Sequence, residues 1–538
     1  MQLSPSAHTD TFCRDNLPAP EDWPELRFTL PALRYPGRLN CAAELLETTI
    51  RSRGAGRPCL LSADESWSYG DLLRVSSQIA RVLAEDLGVV PGNRVLLRGP
   101  NNPWLVACWF GVLRAGAVAV ATMPLLRAGE LAAICEIAQV RLALCDSRFT
   151  AELAQADVPG MRTVTYGAGD PGDLTRLAAG KPPGAAAVPT AADDVALIAF
   201  TSGTTGRPKA TMHFHRDVLA IADTYSEHVL KPRPDDVFTG TPPLAFTFGL
   251  GGAVIFPLRA GAAVLLLEKA TPAELAEQIA ARGVTVCFTA PTAYRAMIAS
   301  GKAGLLRGLR RPVSAGEHLP ATTWQAFYDA TGVKIIDGIG STELLHIFIS
   351  SPVDQIRPGA TGRVVPGYIA EILGEDGKPV PDGEAGRLAV KGPTGCRYLA
   401  DDRQRAYVRD GWNITGDTYR RDADGYFWYQ ARSDDIIISS GYNIAGPEVE
   451  EALLSHPEVA ECGVVGVPDE ARGQIVKAYV VLADGAVGDA AKAAELQDYV
   501  KQRIAPYKYP RAVEFLAVLP RTNTGKLQRF RLRDRAAG

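Results

Sequence analysis

Apolar and polar positions follow two different rhythms along this chain. From Ala42 to about Gly340, helical runs such as Ser68–Glu85 and Pro272–Arg282 separate short β-branched runs at Arg94–Leu97, Ala117–Ala121, Leu142–Cys145 and Val284–Phe288. Alternation of this kind predicts parallel sheets covered by helices. A turn-rich stretch, Gly167–Asp194, precedes a strand at Val195–Phe200 and reads as a surface connection between two sheets. From about Ala385 the rhythm changes to strands separated by polar turns, at Arg387–Lys391, Gly425–Ala431 and Asp435–Ser439. A helix after Pro447 and the run Ile475–Leu482 follow. The expected fold class is therefore α/β, with a large N-terminal domain of helix-covered sheets, 1–433, and a small α+β C-terminal domain, 434–538. The boundary falls at Arg432–Asp435, where charges lie between two strands with no helix to absorb them.

Composition narrows the function. A chain of 538 residues is too long for one core. Its 52 glycines and 38 prolines predict many loops but stop short of low complexity. With a formal charge of −3, no global field draws the protein to nucleic acid or to an anionic membrane, so small molecules are the expected partners. Nine cysteines are scattered without a C-x-x-C spacing, which argues against a disulfide framework and a zinc site. The most apolar stretches, Leu105–Thr122 and Ala253–Leu267, are interrupted by Arg114 and Arg259, so neither supplies the ~20 uninterrupted residues of a spanning helix. The N-terminus lacks the basic start and apolar run of a secretory signal, and the expected location is cytoplasmic.

The sharpest local feature is Thr201-Ser-Gly-Thr-Thr-Gly-Arg-Pro-Lys209, after a buried strand and before a helix near His215. Gly203 and Gly206 let the backbone turn several N–H groups toward one anion, Ser202, Thr204 and Thr205 add hydroxyls, and Lys209 adds charge. That combination suits phosphate, although the glycine spacing is not that of a Walker A loop. Further on, Asp337-Gly-Ile-Gly-Ser-Thr-Glu343 offers close backbone approach at Gly338 and Gly340 and a phosphate-facing hydroxyl at Thr342. Its Glu343 supplies the hard oxygen that Mg²⁺ prefers. Near the C-terminus, Lys526 in Pro520-Arg-Thr-Asn-Thr-Gly-Lys526 carries a compact charge on a long stem, suited to reaching a site built by another domain.

These strings, with Ser314-Ala-Gly-Glu317, Thr415-Gly-Asp417 and Arg432-Ser-Asp-Asp435 in the same order, resemble the motif series of the acyl-adenylate-forming enzymes. That family includes acyl-CoA and aryl-CoA ligases, adenylation domains of peptide synthetases, and luciferases. The opening, Ala7 to Ala43, together with Phe246-Thr-Phe-Gly-Leu-Gly251 and Gly340-Ser-Thr-Glu-Leu-Leu-His346, looks most like 2-aminobenzoate and benzoate CoA ligases. The resemblance implies ATP, Mg²⁺ and coenzyme A as cofactors or co-substrates. It puts Thr201–Gly206 and Lys209 on the phosphates, Ser314, Ala315, Gly316 and Glu317 around the adenine, Asp337 and Gly338 elsewhere along the bound nucleotide, and Asp417 and Arg432 on the ribose. Thr342, Glu343 (the metal carboxylate) and Lys526 are its catalytic residues.

The same resemblance makes the small domain mobile about a hinge at Asp434, with Ser440, Gly441 and Tyr442 turning toward the CoA path. For the acid, Phe246 and Phe248 suggest an aromatic slot, Gly338 and Gly340 a flat wall, and Leu345 and His346 a floor. Amino-acid-activating relatives place an Asp where Thr247 stands, so a neutral group is expected there, and 2-aminobenzoate ranks ahead of benzoate. His213 and His215 read as structural. An acyl adenylate attacked by a thiol needs no covalent enzyme intermediate, so positioning and charge stabilisation carry the catalysis. Delivery to a carrier-protein phosphopantetheine instead of CoA, and a homodimer, stay open.

Overall fold

The computed structural model describes residues 3–201, 208–432, 435–439, 442–469, 472–504, 506–522 and 525–537. Four sheets organise the chain. The first runs Arg162–Tyr166, Leu142–Asp146, Arg94–Arg98, Val118–Thr122, Val195–Thr201 and Lys209–Phe214, with the first five strands parallel and the last antiparallel. Leu96 faces one core while Val95 and Leu97 face another, so both faces of the strand are buried and the sequence is apolar throughout.

A nine-stranded sheet lies beside it, parallel through Ile336–Gly340, Arg311–Ser314, Val286–Thr289, Val237–Gly240, Ala263–Leu265 and Pro58–Leu61, and antiparallel at its ends. Helices Tyr69–Arg81 and Pro103–Arg114 pack together in a core that joins the two sheets. The sequence starts both helices. Ser68 and Asp71 form a capping box on the first, and Asn102 accepts from Leu105 N–H at 2.9 Å with Pro103 at the opening turn of the second.

An all-antiparallel third sheet, from Ile369–Leu373 to Phe427–Arg432, completes the large N-terminal unit. The fourth sheet holds only strands from Ile437 onward and encloses cores of its own against helices Gly446–Leu454, Ala490–Arg503 and Arg529–Ala537. The fold is thus α/β with a small C-terminal α+β domain.

Two expectations need correction. Gly167–Asp194 does not pass between sheets: it carries helix Leu174–Ala179 and links strands Arg162–Tyr166 and Val195–Thr201 of the same sheet. A turn-rich composition reports exposure and flexibility, not destination. The second concerns the stretch before the helix: the helix starts at His215 as expected, but strand Lys209–Phe214, which the sequence did not announce, precedes it, antiparallel to Val195–Thr201 with Thr201 and Lys209 as register partners. Lys209 to Phe214 alternates too little in polarity to announce a strand, because Ala210 to Phe214 are all buried.

Burial is completed by one unusual side chain. Arg98, wholly buried at the end of its strand, donates to the carbonyls of Phe149 (3.0 Å), Met123 (2.9 Å), Pro124 (2.9 Å) and Leu126 (3.1 Å). It ties together the segments that follow two neighbouring parallel strands, and burial holds its pKa below the usual guanidinium value. Arg98→Met should lower the unfolding free energy by on the order of 3 to 5 kcal/mol, since several buried carbonyls lose their donor at once. Urea unfolding checks this. Arg98→Lys should recover only part of the loss, because an ammonium lacks the planar fork of donors.

Candidate active site

Strand ends build the site. Thr289 and Ser314 are register neighbours at the C-terminal ends of two parallel strands, the place where α/β sheets collect ligands, and Asp337, beside Ser314, is the second residue of strand Ile336–Gly340. Beyond Ser314 the chain turns through Gly316 at φ +87°, a left-handed conformation that favours glycine, and reaches Glu317. Burial pushes the Asp337 carboxyl well above the usual carboxylate range, and Ser350 Oγ donates to the Asp337 carbonyl at 2.5 Å.

After Gly340 the chain makes a tight turn carrying Thr342 and Glu343 before strand Ile347–Ser350. Leu345 sits at φ +70°, which is strained for a non-glycine residue. Buried polar groups hold the turn from several sides. The Thr342 carbonyl accepts from Leu345 N–H at 3.1 Å and from His213 Nε2 at 2.9 Å. Thr394 Oγ1 donates to the Leu344 carbonyl at 2.8 Å, and Leu344 N–H donates to Ser341 Oγ at 3.2 Å. The phenol of Tyr398 donates to Glu343 Oε1 at 2.6 Å. Lys209, at the start of strand Lys209–Phe214, places its ammonium 5.3 Å from the centre of the Tyr398 ring. Lys209 and Glu343, which stand in separate motifs, therefore meet at one tyrosine, with Thr342 next to Glu343 in the chain. His213, expected to be structural, holds the backbone of this turn.

The small domain supplies the remaining charges. Lys526 Cε lies 3.7 Å from the point a side chain on Gly316 would occupy, an ordinary contact distance, so the lysine of the small domain reaches the turn that follows Ser314. Loss of water around its ammonium, with Arg432 adding to it, pulls the Lys526 pKa below the usual lysine value, while Glu317 and Asp417 oppose the shift. Glu317 is pushed up by burial against the pull of Arg521, Arg295 and Lys526. Asp417 and Arg432 are register partners on adjacent strands, with Oδ1 and Nη1 3.5 Å apart. Arg521 also bridges the two domains, at 3.8 Å from Glu317 and 2.6 Å from Glu461. The Glu451 carboxylate accepts from Ala321 N–H at 3.2 Å, at the start of helix Ala321–Thr331, whose Pro320 cap offers no acceptor side chain.

A cluster of rings surrounds His346. Phe256 stands edge-on at 4.5 Å between centroids, with Tyr225 at 5.5 Å, Phe248 at 5.7 Å and Phe288 at 6.2 Å. Glycines make the packing possible. A Cβ on Gly251 would lie 2.3 Å from His346 Cδ2, and one on Gly252 2.5 Å from the Phe288 ring. The Cβ positions of Gly338 and Gly340 point instead at Ile347 Cδ1 (2.9 Å) and the His346 carbonyl (2.5 Å), so their own neighbours exclude side chains there. Phe248 and His346 lie in this cluster, with Leu345 next to His346 in the chain, and Thr247 is buried at the start of helix Thr247–Leu250. Phe246 makes no ring contact with the cluster among the described residues. Tyr225, Phe256 and Phe288 were missed, since they come from three distant elements and nothing local marks them.

Several expected residues cannot be placed. Ser202, Gly203, Thr204, Thr205 and Gly206 of the phosphate loop, Asp434 of the hinge, and Ser440 and Gly441 of the CoA face lie outside the described residues. Tyr442 opens the strand Tyr442–Ile444. For a metal, the donor set fits at Glu343, a carboxylate with one oxygen held by Tyr398 and no described donor on the other, Oε2. A second group with ligand-like spacing, His456, Glu458 and Glu495, already surrounds the ammonium of Lys492. All nine cysteines are buried and unpaired, and no helix among the described residues is long and apolar enough to cross a membrane.

A large α/β domain followed by a small α+β domain that brings a lysine against it is the architecture of the adenylate-forming enzymes. The AMP-binding enzyme family matches residues 46–398, and the AMP-binding enzyme C-terminal domain matches residues 448–526. The chain belongs to this family, in its aryl-CoA ligase branch, and is an AMP-forming acid–thiol ligase. It is 35% identical to a benzoate–CoA ligase of Thauera aromatica, over 94% of this chain and 98% of that one. The solved anthranilate CoA ligase AuaEII, in complex with anthranoyl-AMP, superposes with a TM-score of 0.90 at 34% identity, covering 94% of this chain and 99% of that one. A benzoate CoA ligase from Burkholderia xenovorans LB400 gives a TM-score of 0.85 at 33% identity, covering 92% and 100%.

Burial keeps three site-region histidines neutral. His213, His215 and His346 are each pushed down to about 3, chiefly by loss of water, with Arg397 adding to the effect at His213. A histidine depressed in the folded state contributes fully above its unfolded pKa near 6.5, and that stability is lost as pH falls toward the folded value. At pH 5 each should cost on the order of 2 kcal/mol. Urea midpoints should therefore fall between pH 7 and pH 5, ahead of most carboxylate titration, and an unchanged midpoint would refute neutral burial.

Proposed function

We propose that the enzyme activates an aryl carboxylic acid, 2-aminobenzoate ahead of benzoate, and passes it to CoA. The observation that carries the reading is that Lys209 and Glu343 meet at Tyr398, on a turn whose neighbouring wall is a cluster of aromatic rings, while Lys526 of the small domain reaches the turn at Gly316. The anthranilate ligase complex named above supports the amino-substituted ring.

A carboxylate is a poor acyl donor because its leaving group would be oxide. In the first step its oxygen bonds to the α-phosphorus of ATP and the bond to pyrophosphate breaks. Thr201–Gly206 and Lys209 hold the phosphates, with Thr342 adding a hydroxyl. Ser314–Glu317 line the adenine, Asp337 and Gly338 contact the nucleotide, and Asp417 and Arg432 bind the ribose. Glu343 would hold Mg²⁺, which when bound offsets phosphate charge. Lys526 draws the carboxylate and α-phosphate together and stabilises the charge that develops between them. In the second step a thiol attacks the acyl carbon and AMP leaves. Rotation about Asp434 withdraws Lys526 and presents Ser440–Tyr442 to the pantetheine arm.

Pyrophosphate release over a panel of acids, followed by mass analysis of the product, tests the whole reading. Release driven by aryl acids with a CoA thioester as product supports it; loading of a carrier protein with no CoA product would replace CoA as acceptor.

Two variants test its parts. Lys526→Ala should cut acid-dependent pyrophosphate release by roughly 10² to 10³, as for loss of one transition-state donor, while thioester formation from supplied aryl adenylate survives. Equal loss in both half-reactions would refute this division of labour. The hydroxyl of Thr247 can accept a hydrogen bond from an ortho amino group, and stranding that group costs about 1 to 3 kcal/mol. Thr247→Ala should then lower kcat/KM for 2-aminobenzoate by roughly 5- to 150-fold and leave benzoate nearly unchanged. An unchanged ratio between the two acids would remove Thr247 from specificity.

A further inference from the structure

The segment Arg397–Leu399 lies outside every motif from which the activity was read, yet it is built with unusual care. It runs antiparallel beside strand Lys209–Phe214, with Met212 N–H donating to the Arg397 carbonyl at 2.8 Å and Leu399 N–H to the Ala210 carbonyl at 2.9 Å. Arg397, wholly buried, pairs with Asp217 and lies 4.0 Å from the centre of the Phe214 ring. Tyr398 N–H donates to Gln404 Oε1 at 2.9 Å, and the Tyr398 ring meets Tyr407 edge-on at 5.9 Å. The backbone and the ring of Tyr398 are thus fixed independently of what its hydroxyl does.

That hydroxyl reaches Glu343 Oε1 at 2.6 Å, and Tyr398 is itself fully buried. We propose that Tyr398 is a positioning residue for the nucleotide's metal: its phenol O–H fixes one oxygen of Glu343, so that the other is presented to the cation in a single orientation. Three features of the site support this. A phenol has one proton to give, so it can order a carboxylate without occupying both oxygens. The Tyr398 ring is buried, with Lys209 5.3 Å from its centre and Tyr407 edge-on at 5.9 Å, so packing holds the phenol on Glu343. On the other side of the turn, His213 holds the Thr342 carbonyl at 2.9 Å, so backbone and carboxylate are anchored from the same strand system. Hydrogen bonds that orient a metal's ligands are worth about 10- to 100-fold in metal affinity.

The inference rests on the proposed reading of Glu343 as a metal ligand, and the test separates the two. Tyr398→Phe removes the O–H while keeping the ring that Lys209 and Tyr407 face. Binding of a non-hydrolysable α,β-methylene ATP is measured by calorimetry with Mg²⁺ and, separately, with EDTA, for the parent, Tyr398→Phe and Glu343→Gln. The expected result is a roughly 10- to 100-fold loss in Tyr398→Phe confined to the Mg²⁺ arm, with EDTA binding and thermal unfolding close to the parent. In pyrophosphate release, the Mg²⁺ concentration for half-maximal rate should rise while kcat at saturating Mg²⁺ changes little. Equal weakening in both arms, or parent-like Mg²⁺ dependence in Tyr398→Phe when Glu343→Gln has lost it, overturns the role of Tyr398. Parent-like Mg²⁺ dependence in Glu343→Gln overturns the reading of Glu343 and the inference with it.

Discussion

The site depends on holding one strained turn. Thr342 and Glu343 must leave the end of a parallel strand and return as an antiparallel one within a few residues, and the chain achieves this by putting a leucine, Leu345, at positive φ. Such a conformation costs of order 1 to 3 kcal/mol and persists only where its surroundings over-determine it. Here the surroundings are His213, Tyr398, Thr394 and Ser341, each bonded to the turn. The behaviour of the site follows from that fixation, because a catalysis of positioning works only if the charges are already in place.

Fixation by buried polar groups has its own cost. The Arg397–Asp217 pair lies entirely out of water, and burial pushes the Asp217 carboxyl up and the Arg397 guanidinium down, which are the signs of groups kept charged against their surroundings. An apolar replacement of matching shape could be as stable. What it could not do is hold Arg397–Leu399 in register against strand Lys209–Phe214, and that register puts Tyr398 between Lys209 and Glu343. The polar core is better understood as a specifier of geometry than as a source of stability.

The sequence made much of this legible, and where it failed the reason is physical. Lys209, Thr342, Glu343, Asp417 and Lys526 stand in local strings of glycine and polar residues, and the family order of those strings identified them. Helices with side-chain caps, such as Tyr69–Arg81, were equally plain. Tyr398, His213 and Phe288 were not, because each acts through contacts with elements far away in the chain and none stands in a local string that marks it. The strand at Lys209–Phe214 was hidden for a related reason: burial on both faces erases the alternation that marks a strand.

The joint between the domains differs from the turn in kind. Its described contacts are polar and partly exposed: Arg521 shared between Glu317 and Glu461, Glu451 on a backbone N–H, and Lys526 among charges of both signs. Contacts of this sort are cheap to break and remake. At Lys526 the loss of water and Arg432 lower the pKa while Glu317 and Asp417 oppose the shift, so charges of both signs from the large domain meet this lysine. On the proposed function, ATP and a carboxylate add several negative charges beside the lysine and favour docking, whereas the departure of pyrophosphate removes most of them. The same electrostatics that promote adenylation therefore weaken the grip on Lys526 once adenylation is complete, and the rigid turn keeps the adenylate in register while the small domain changes partners.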